Sequence, residues 1–207
     1  MSGESLGRGL VLMAALCAGL AGPVSAQVYH IYPAAPVVPD DHPAAGAAFG
    51  IGDDLQRLLG FARFNIVPKA DLGLELVFDR LGGDWRTGLG ADVKYAIVPK
   101  TNELPFDLSV QGGFGFQTGS FFSNFDIPVG AVISRPLELD SGRQIVPFGG
   151  LYLIVRRLSL DAGPSDTDID VELRGGASFE VFDSGDAFIT IHAGSDVMFF
   201  VGYNAHM

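Results

Sequence analysis

The chain has 207 residues, of which 24 are acidic and 13 are Lys or Arg, giving a formal net charge of −11. A pI near 4.5 argues against nucleic acid as a partner, because nucleic-acid binding needs a basic surface. Only 18% of the residues are charged and the mean hydropathy is +0.31, which is apolar for a soluble protein. After residue 26, however, no apolar run approaches the length of a transmembrane helix.

Residues 1–26 have the pattern of a cleaved secretory signal. Arg8 precedes an apolar stretch over residues 9–22, and the small residues 24–26 fit a signal-peptidase site. The run is shorter than the roughly 20 residues that span a bilayer, which disfavours a membrane anchor. Cys17 follows a leucine, whereas lipoprotein signals have a small residue there. We therefore expect it to leave with the signal, so that the mature domain has no disulfide.

The next segment, residues 27–46, is rich in Pro and Ala and shows no sustained periodicity. This composition predicts a flexible N-terminal segment, followed by a β-barrel domain over residues 47–207. His30 and His42 lie in the segment without a cluster of further ligands. We therefore expect both to be solvated rather than metal-bound, and no cofactor is predicted for the chain.

From residue 47 onward the hydrophobic pattern has a period of two, which is typical of β-strands. In 85–98, one face carries Trp85, Thr87, Leu89, Ala91, Val93, Tyr95 and Ile97. Similar alternation occurs in 71–79, 106–117, 127–134, 169–181 and 187–203, and Gly, Asp and Pro lie between these segments. The pattern predicts an all-β, antiparallel, up-and-down fold.

The number of strands depends on the C-terminal segment. Eight strands result if 187–203 is one strand and 47–53 is ignored. Ten result if the chain turns at 194–196 and 47–53 is counted, and we slightly favour ten. The turns after Val67, Pro99, Asp140 and Asp183 would then lie at one end of the fold.

The polar faces indicate what surrounds the strands. They carry charges of both signs and many glycines, which suit a crowded barrel interior better than a solvated surface. Aromatic residues near the segment ends are placed as membrane-interface girdles: Trp85, Tyr95, Phe106, Phe116, Phe199 and Tyr203. We therefore predict a transmembrane β-barrel, with a soluble barrel whose apolar face points inward as the alternative.

Three stretches carry a family resemblance: Val-Pro-Phe-Gly-Gly-Leu-Tyr at 146–152, Leu-Pro-Phe-Asp-Leu at 104–108, and the turn within 66–73. They resemble the turns and strand openings of small bacterial outer-membrane β-barrel proteins. The resemblance implies a porin-like fold in the outer membrane, with membrane lipid and the barrel assembly machinery as partners. Such barrels usually end in an aromatic residue that the machinery recognises, whereas this chain ends Tyr203-Asn204-Ala205-His206-Met207.

A barrel of eight to ten strands has an interior that side chains can fill. We therefore predict a structural network of paired charges in the lumen, consisting of Arg86, Asp92, Lys94, Asp170, Glu172, Arg174 and His192. His192 and Asp196 would be about 13 Å apart on one continuous strand, too far to interact, although a hairpin at 194–196 would bring them closer. The sequence contains no lipase elbow, zinc motif, phosphate loop or dinucleotide fingerprint.

These features predict no catalytic residue and no enzymatic activity. The favoured function is a non-enzymatic outer-membrane barrel with a structural, adhesive or minor permeability role. The alternatives are a barrel enzyme that acts on lipid and a soluble periplasmic barrel that binds an apolar ligand.

Overall fold

The computed structural model describes residues 35–38, 42–98, 104–119, 122–160, 165–182 and 184–207. The predicted signal at 1–26, with Cys17, and His30 lie outside these ranges. Within the described ranges, no helix is long and apolar enough to cross a membrane.

The fold of the described residues consists of antiparallel strands and their connections. Their bounds are β1 Ala44–Gly52, β2 Leu55–Val67, β3 Ala70–Leu81, β4 Asp84–Val98, β5 Asp107–Thr118, β6 Phe122–Ser134, β7 Leu137–Glu138, β8 Gln144–Leu160, β9 Asp166–Phe182, β10 Gly185–Ala193 and β11 Val197–His206. Each long strand pairs with its neighbours in sequence, and β7 is a short addition to β8. Pairing of β1 with β11 and of β6 with β8 closes a ring of ten long strands.

The predicted all-β barrel is therefore confirmed, with ten strands rather than eight. The segment 187–203 is divided by a turn in which the Gly194 amide donates to the Asp196 carbonyl at 3.0 Å. Strand β1 begins at Ala44, which pairs with His206, three residues before the predicted start of the barrel domain.

Alternation along the strands separates two environments. In β4, Asp92 and Lys94 are buried while Leu89, Val93 and Tyr95 are exposed. Since successive side chains point to opposite sheet faces, the charged row lines the lumen and the apolar row covers the outside. A soluble barrel requires the opposite arrangement, so the alternative of a soluble barrel is wrong.

The two ends of the barrel differ in their connections. The end that holds Ala44 and His206, here called the terminal rim, also carries the connections after β2, β4, β6 and β9, as predicted. The opposite end, the far rim, carries connections of two to five residues. In the two-residue turn after β3, Gly82 and Gly83 have φ of 56° and 100°, a conformation that glycine adopts without strain.

Part of the lumen is apolar. Phe61 on β2 and Phe188 on β10 have ring centroids 6.1 Å apart, and both side chains are buried. The cluster around them includes Ala48, Leu59, Ile154, Met198 and Phe200. Side chains therefore fill this part of the barrel, which is the expected interior of a barrel of this size.

Candidate functional site

Charged side chains of opposite sign meet inside the lumen, beginning near the far rim. Arg57 on β2 donates to Asp79 on β3 through two bonds, at 2.7 Å from Nε and 2.5 Å from Nη2. Gln117 Nε2 on β5 donates to the same carboxylate at 2.6 Å. Both charged side chains are 0% exposed. A bidentate pair of this kind compensates much of the cost of removing two charges from water.

A second pair crosses from β6 to β8 and β9. Arg156 lies 3.2 Å from Asp126 through Nε and 2.8 Å from Asp170 through Nη1. Asn124 Nδ2 also donates to Asp126, at 3.0 Å. Asp170 is less buried than the others, with 23% of its side chain exposed, which places it at the open edge of the network.

The third group combines charge with aromatic contact. Arg174 Nε donates to Glu172 Oε1 at 2.5 Å, and its guanidinium carbon lies 3.7 Å from the centroid of the Tyr152 ring. His192 Nδ1 is 3.7 Å from the same Glu172 oxygen, and its ring lies 4.8 Å from that of Phe200. Arg174 is thus held by a carboxylate on one side and an aromatic face on the other.

The fourth group lies toward the terminal rim. Arg63 Nη2 contacts both oxygens of Asp92, at 2.6 and 2.7 Å, and Nη1 donates to Asp71. Lys94 Nζ is 3.6 Å from Asp71. Gln111 donates to Asp92 at 2.6 Å and accepts a bond from the Tyr152 hydroxyl at 2.8 Å, which links this group to Arg174.

The N-terminal residues Ala35–Val38, here called the tail, lie against this fourth group. Lys94 Nζ donates to the Pro36 carbonyl at 2.6 Å, and Ser109 donates to the Ala35 carbonyl. The Ala35 amide donates to Ser134 at 3.2 Å. The Val38 amide donates to Asp71 at 2.9 Å, and Asn65 donates to the Val38 carbonyl at 2.9 Å. The composition of 27–46 predicted a flexible segment, but these four residues are bound inside the barrel.

The structure buries five of the seven predicted network residues in the lumen, namely Asp92, Lys94, Glu172, Arg174 and His192. Asp170 and Arg86 are only partly buried. The Arg86 guanidinium lies over the Phe122 ring at 4.4 Å. Asp196 lies in the turn after β10, and the hairpin there brings His192 opposite Met198.

The sequence prediction missed several charges that complete the pairs: Arg57, Arg63, Asp71, Asp79, Asp126 and Arg156. Arg57 and Arg63 lie on β2, whose inward face also carries Leu59 and Phe61. Because both faces of β2 are largely apolar, its period of two is weak. The sequence still indicated that these two arginines share a face, because they are spaced by an even number of residues along the strand.

A shallow cleft of about 290 Å³ opens at the terminal rim. Within it, His206 Nε2 lies 2.8 Å from Asp186 Oδ2, and the Gln144 amide donates to Glu180 at 3.1 Å. Among the described residues, no group of three or more His, Cys, Asp or Glu side chains is arranged to hold a metal ion.

The outer surface determines where the barrel resides. Each long strand presents a large apolar side chain outward at 39–58% exposure: Phe49, Leu58, Leu76, Leu89, Val110, Val129, Leu151, Val171, Ile189 and Val201. Soluble monomeric proteins rarely expose such a continuous apolar surface to water. A closed barrel with an apolar exterior and a polar, filled interior is the form in which chains cross the bacterial outer membrane. The chain is an outer-membrane β-barrel.

No protein-family model matches this outer-membrane barrel, and no curated protein matches it. Among solved structures it is similar to a bacterial polysaccharide outer membrane secretin, at 11% identity and a TM-score of 0.48. That match covers 74% of this chain and 57% of the secretin chain.

Two further matches are an outer membrane channel from Pseudomonas putida F1 and the KdgM porin. For the channel, the identity is 11%, the TM-score 0.46, and the coverage 87% of this chain and all of the other. For the porin, the identity is 10%, the TM-score 0.41, and the coverage 78% of this chain and 98% of the porin chain.

Proposed function

We propose that this chain is a non-enzymatic outer-membrane protein with a closed lumen and a structural role in the envelope. The observation that carries the proposal is the filled interior. Arg57, Asp79, Lys94 and Asp126 have fully buried side chains, and each charge has a partner of opposite sign. An open aqueous pore would leave such side chains in contact with water.

The far rim favours a structural role over an adhesive one. In outer-membrane barrels with an even number of strands the termini face the periplasm, which makes the far rim the extracellular one, and its connections have only two to five residues. The longer connections, of eight residues after β4 and nine residues after β6, lie at the terminal rim, so the far rim offers little surface for recognising a partner. The proposed role therefore depends on the barrel wall rather than on its loops.

The burial of His192 beside Glu172 favours a non-enzymatic protein. A second His–carboxylate pair, His206 and Asp186, lies in the cleft at the terminal rim. His192 and Glu172 are 2% and 1% exposed and lie in the lumen, on the opposite face of the wall from the membrane lipid. A lipid-modifying enzyme needs its general base within hydrogen-bond reach of the substrate, and a bilayer lipid does not reach this position without opening the barrel.

Single-channel recording in a planar lipid bilayer tests the closed lumen. The refolded mature chain should give no conductance steps under conditions in which a general diffusion porin does. An Arg57→Ala/Asp79→Ala/Arg63→Ala/Asp92→Ala variant removes two ion pairs and leaves no charge without a partner of opposite sign, because Asp71 remains paired with Lys94. This variant should give small conductance steps. A gel mobility shift on boiling shows that each protein is folded. Discrete steps from the wild-type chain would contradict the proposal.

A further inference from the structure

Side chains of the lumen bind the tail through the main-chain atoms of the tail. Side chains of Asn65, Lys94 and Ser109 donate to tail carbonyls, while Asp71 and Ser134 accept from tail amides. These five side chains are here called the tail pocket. They come from five consecutive barrel strands, β2 to β6, so that the closed wall of the barrel brings donors and acceptors to one segment of four residues.

The tail contributes little besides its backbone. Ala35 is 0% exposed and packs with the apolar cluster, and Val38 is 2% exposed. A pocket that bonds carbonyls and amides but meets only small apolar side chains selects for the backbone conformation of the tail and for small residues. This is the logic of peptide recognition through main-chain hydrogen bonds, in which pockets for particular side chains add the specificity.

We propose that the tail pocket is a binding site for short peptides with small apolar side chains, occupied in cis by Ala35–Val38 and able to accept another such peptide when the tail is released. The site goes beyond the structural role proposed above, since a closed barrel does not require it.

The pocket opens toward the terminal rim and ends inside the lumen. Pro43, five residues after Val38, accepts a bond from the Met207 amide at 2.9 Å, so the chain is at that rim when it enters β1. On the inner side, the Arg63–Asp92 pair and the Tyr152–Gln111 bond lie across the lumen. A peptide that replaces the tail would therefore enter from the terminal rim.

Competition with the attached tail determines how the site must be tested. A tethered segment has an effective concentration in the millimolar range, so free peptide will displace it poorly from the wild-type chain. Ala35→Asp in the full mature chain solves this problem, because it puts a charge at a fully buried position of the tail and leaves the five pocket side chains unchanged.

The experiment measures binding of a fluorescent peptide with the sequence of residues 32–41 by fluorescence anisotropy. We expect saturable binding to the Ala35→Asp chain and at least tenfold weaker binding to the wild-type chain, whose pocket is occupied. The same peptide carrying Asp for Ala35 should not bind. Neither the free protein nor its complex with the peptide should conduct ions in a planar bilayer. This second readout tests the closed lumen separately from the binding result.

Pocket variants give the matched control. Adding Ser109→Ala/Ser134→Ala to the Ala35→Asp chain removes two hydrogen bonds to the peptide and should weaken binding about tenfold. Adding Thr190→Ala removes a buried hydroxyl elsewhere in the lumen, which donates to the Gly175 carbonyl at 3.2 Å, and should leave binding unchanged.

Three results would overturn the proposal. The folded Ala35→Asp chain fails to bind the peptide up to millimolar concentration, or Thr190→Ala weakens binding as much as the pocket variant does. Alternatively, both Ala35→Asp and a second tail variant, Val38→Asp, lose the heat-modifiable folded form. In that case the tail is a fixed part of the barrel and not a replaceable ligand.

Discussion

Arg57 and Asp79 show what a single lumen residue contributes to stability. Each is fully buried, and the two share a bidentate contact. Replacing Asp79 with Leu leaves the guanidinium in the lumen without this partner. We expect the free energy of unfolding to fall by about 3–5 kcal/mol, the usual cost of breaking a buried pair. Urea unfolding of the barrel refolded in liposomes measures it.

The double variant Arg57→Met/Asp79→Leu is the control for that experiment. It replaces both charges with apolar groups of similar size, so no unpaired charge remains. Its free energy of unfolding should lie within about 1–2 kcal/mol of the wild-type value, because exchanging a whole buried pair is often close to neutral. A double variant as unstable as Asp79→Leu would mean that packing, and not charge pairing, limits stability here.

Two strand glycines give a second test at the residue scale. A Cβ at Gly176 would lie 2.8 Å from Phe148 Cζ and 2.9 Å from Thr190 Cα, whereas at Gly60 it would meet nothing within 4 Å. Gly176→Ala should therefore destabilise the barrel by about 1–3 kcal/mol through overpacking. Gly60→Ala should be neutral or stabilise it by up to about 1 kcal/mol. Equal effects in urea unfolding would show that the inner glycine is not there for close packing.

At the scale of the strand, the sequence predicts most where the two faces differ in polarity. In β4, charges and glycines face inward and apolar residues face outward, so the alternation reveals both the strand and its orientation. In β8, Phe148, Tyr152 and Ile154 face inward while Leu151 and Leu153 face outward. Both faces of β8 are apolar, and periodicity therefore says little about its partners.

Other features of the lumen depend on contacts between distant parts of the chain. Arg63 and Asp92 are 29 residues apart, and Ser109 meets Ala35 across 74 residues. Local periodicity assigns each residue to a face but does not determine which strands become neighbours around the ring. Composition likewise indicates that the tail has no regular structure, but not that the lumen binds it.

An outward-facing position in the middle of β4 tests the assignment of the membrane face. Leu89 is 53% exposed and lies well inside the strand, while Trp85, at 67% exposure, lies near its far-rim end. Leu89→Arg should cost about 2–4 kcal/mol of unfolding free energy in liposomes, and Trp85→Arg about 0–1 kcal/mol, because the penalty for a charge depends on depth. Similar costs at both positions would contradict a lipid-exposed Leu89.

At the scale of the whole molecule, closure of the ring explains why the long strands leave so little unpaired sheet edge. Pairing of β1 with β11 satisfies the two strands that would otherwise end the sheet, as a lipid environment requires. Closure also brings the start of β1 and the end of β11 to one rim, because an even number of antiparallel strands returns the chain to its starting side. The barrel thus has a defined direction across the membrane.

That direction is open to test, because the residues after the predicted signal include no cysteine. Asp53 lies in the turn between β1 and β2 at the far rim, and Lys69 in the turn between β2 and β3 at the terminal rim. Both side chains are exposed. In outer-membrane barrels with an even number of strands the termini face the periplasm, so Asp53 should face the cell exterior.

In intact cells, Asp53→Cys should therefore react with a membrane-impermeant maleimide, and Lys69→Cys should react only after the outer membrane is permeabilised. Each variant replaces an exposed turn residue, so both should fold, and a mobility shift on boiling verifies this. The reverse labelling pattern would place the tail pocket on the outside of the cell. Its peptide would then come from the medium, because the pocket opens at the same rim as Lys69.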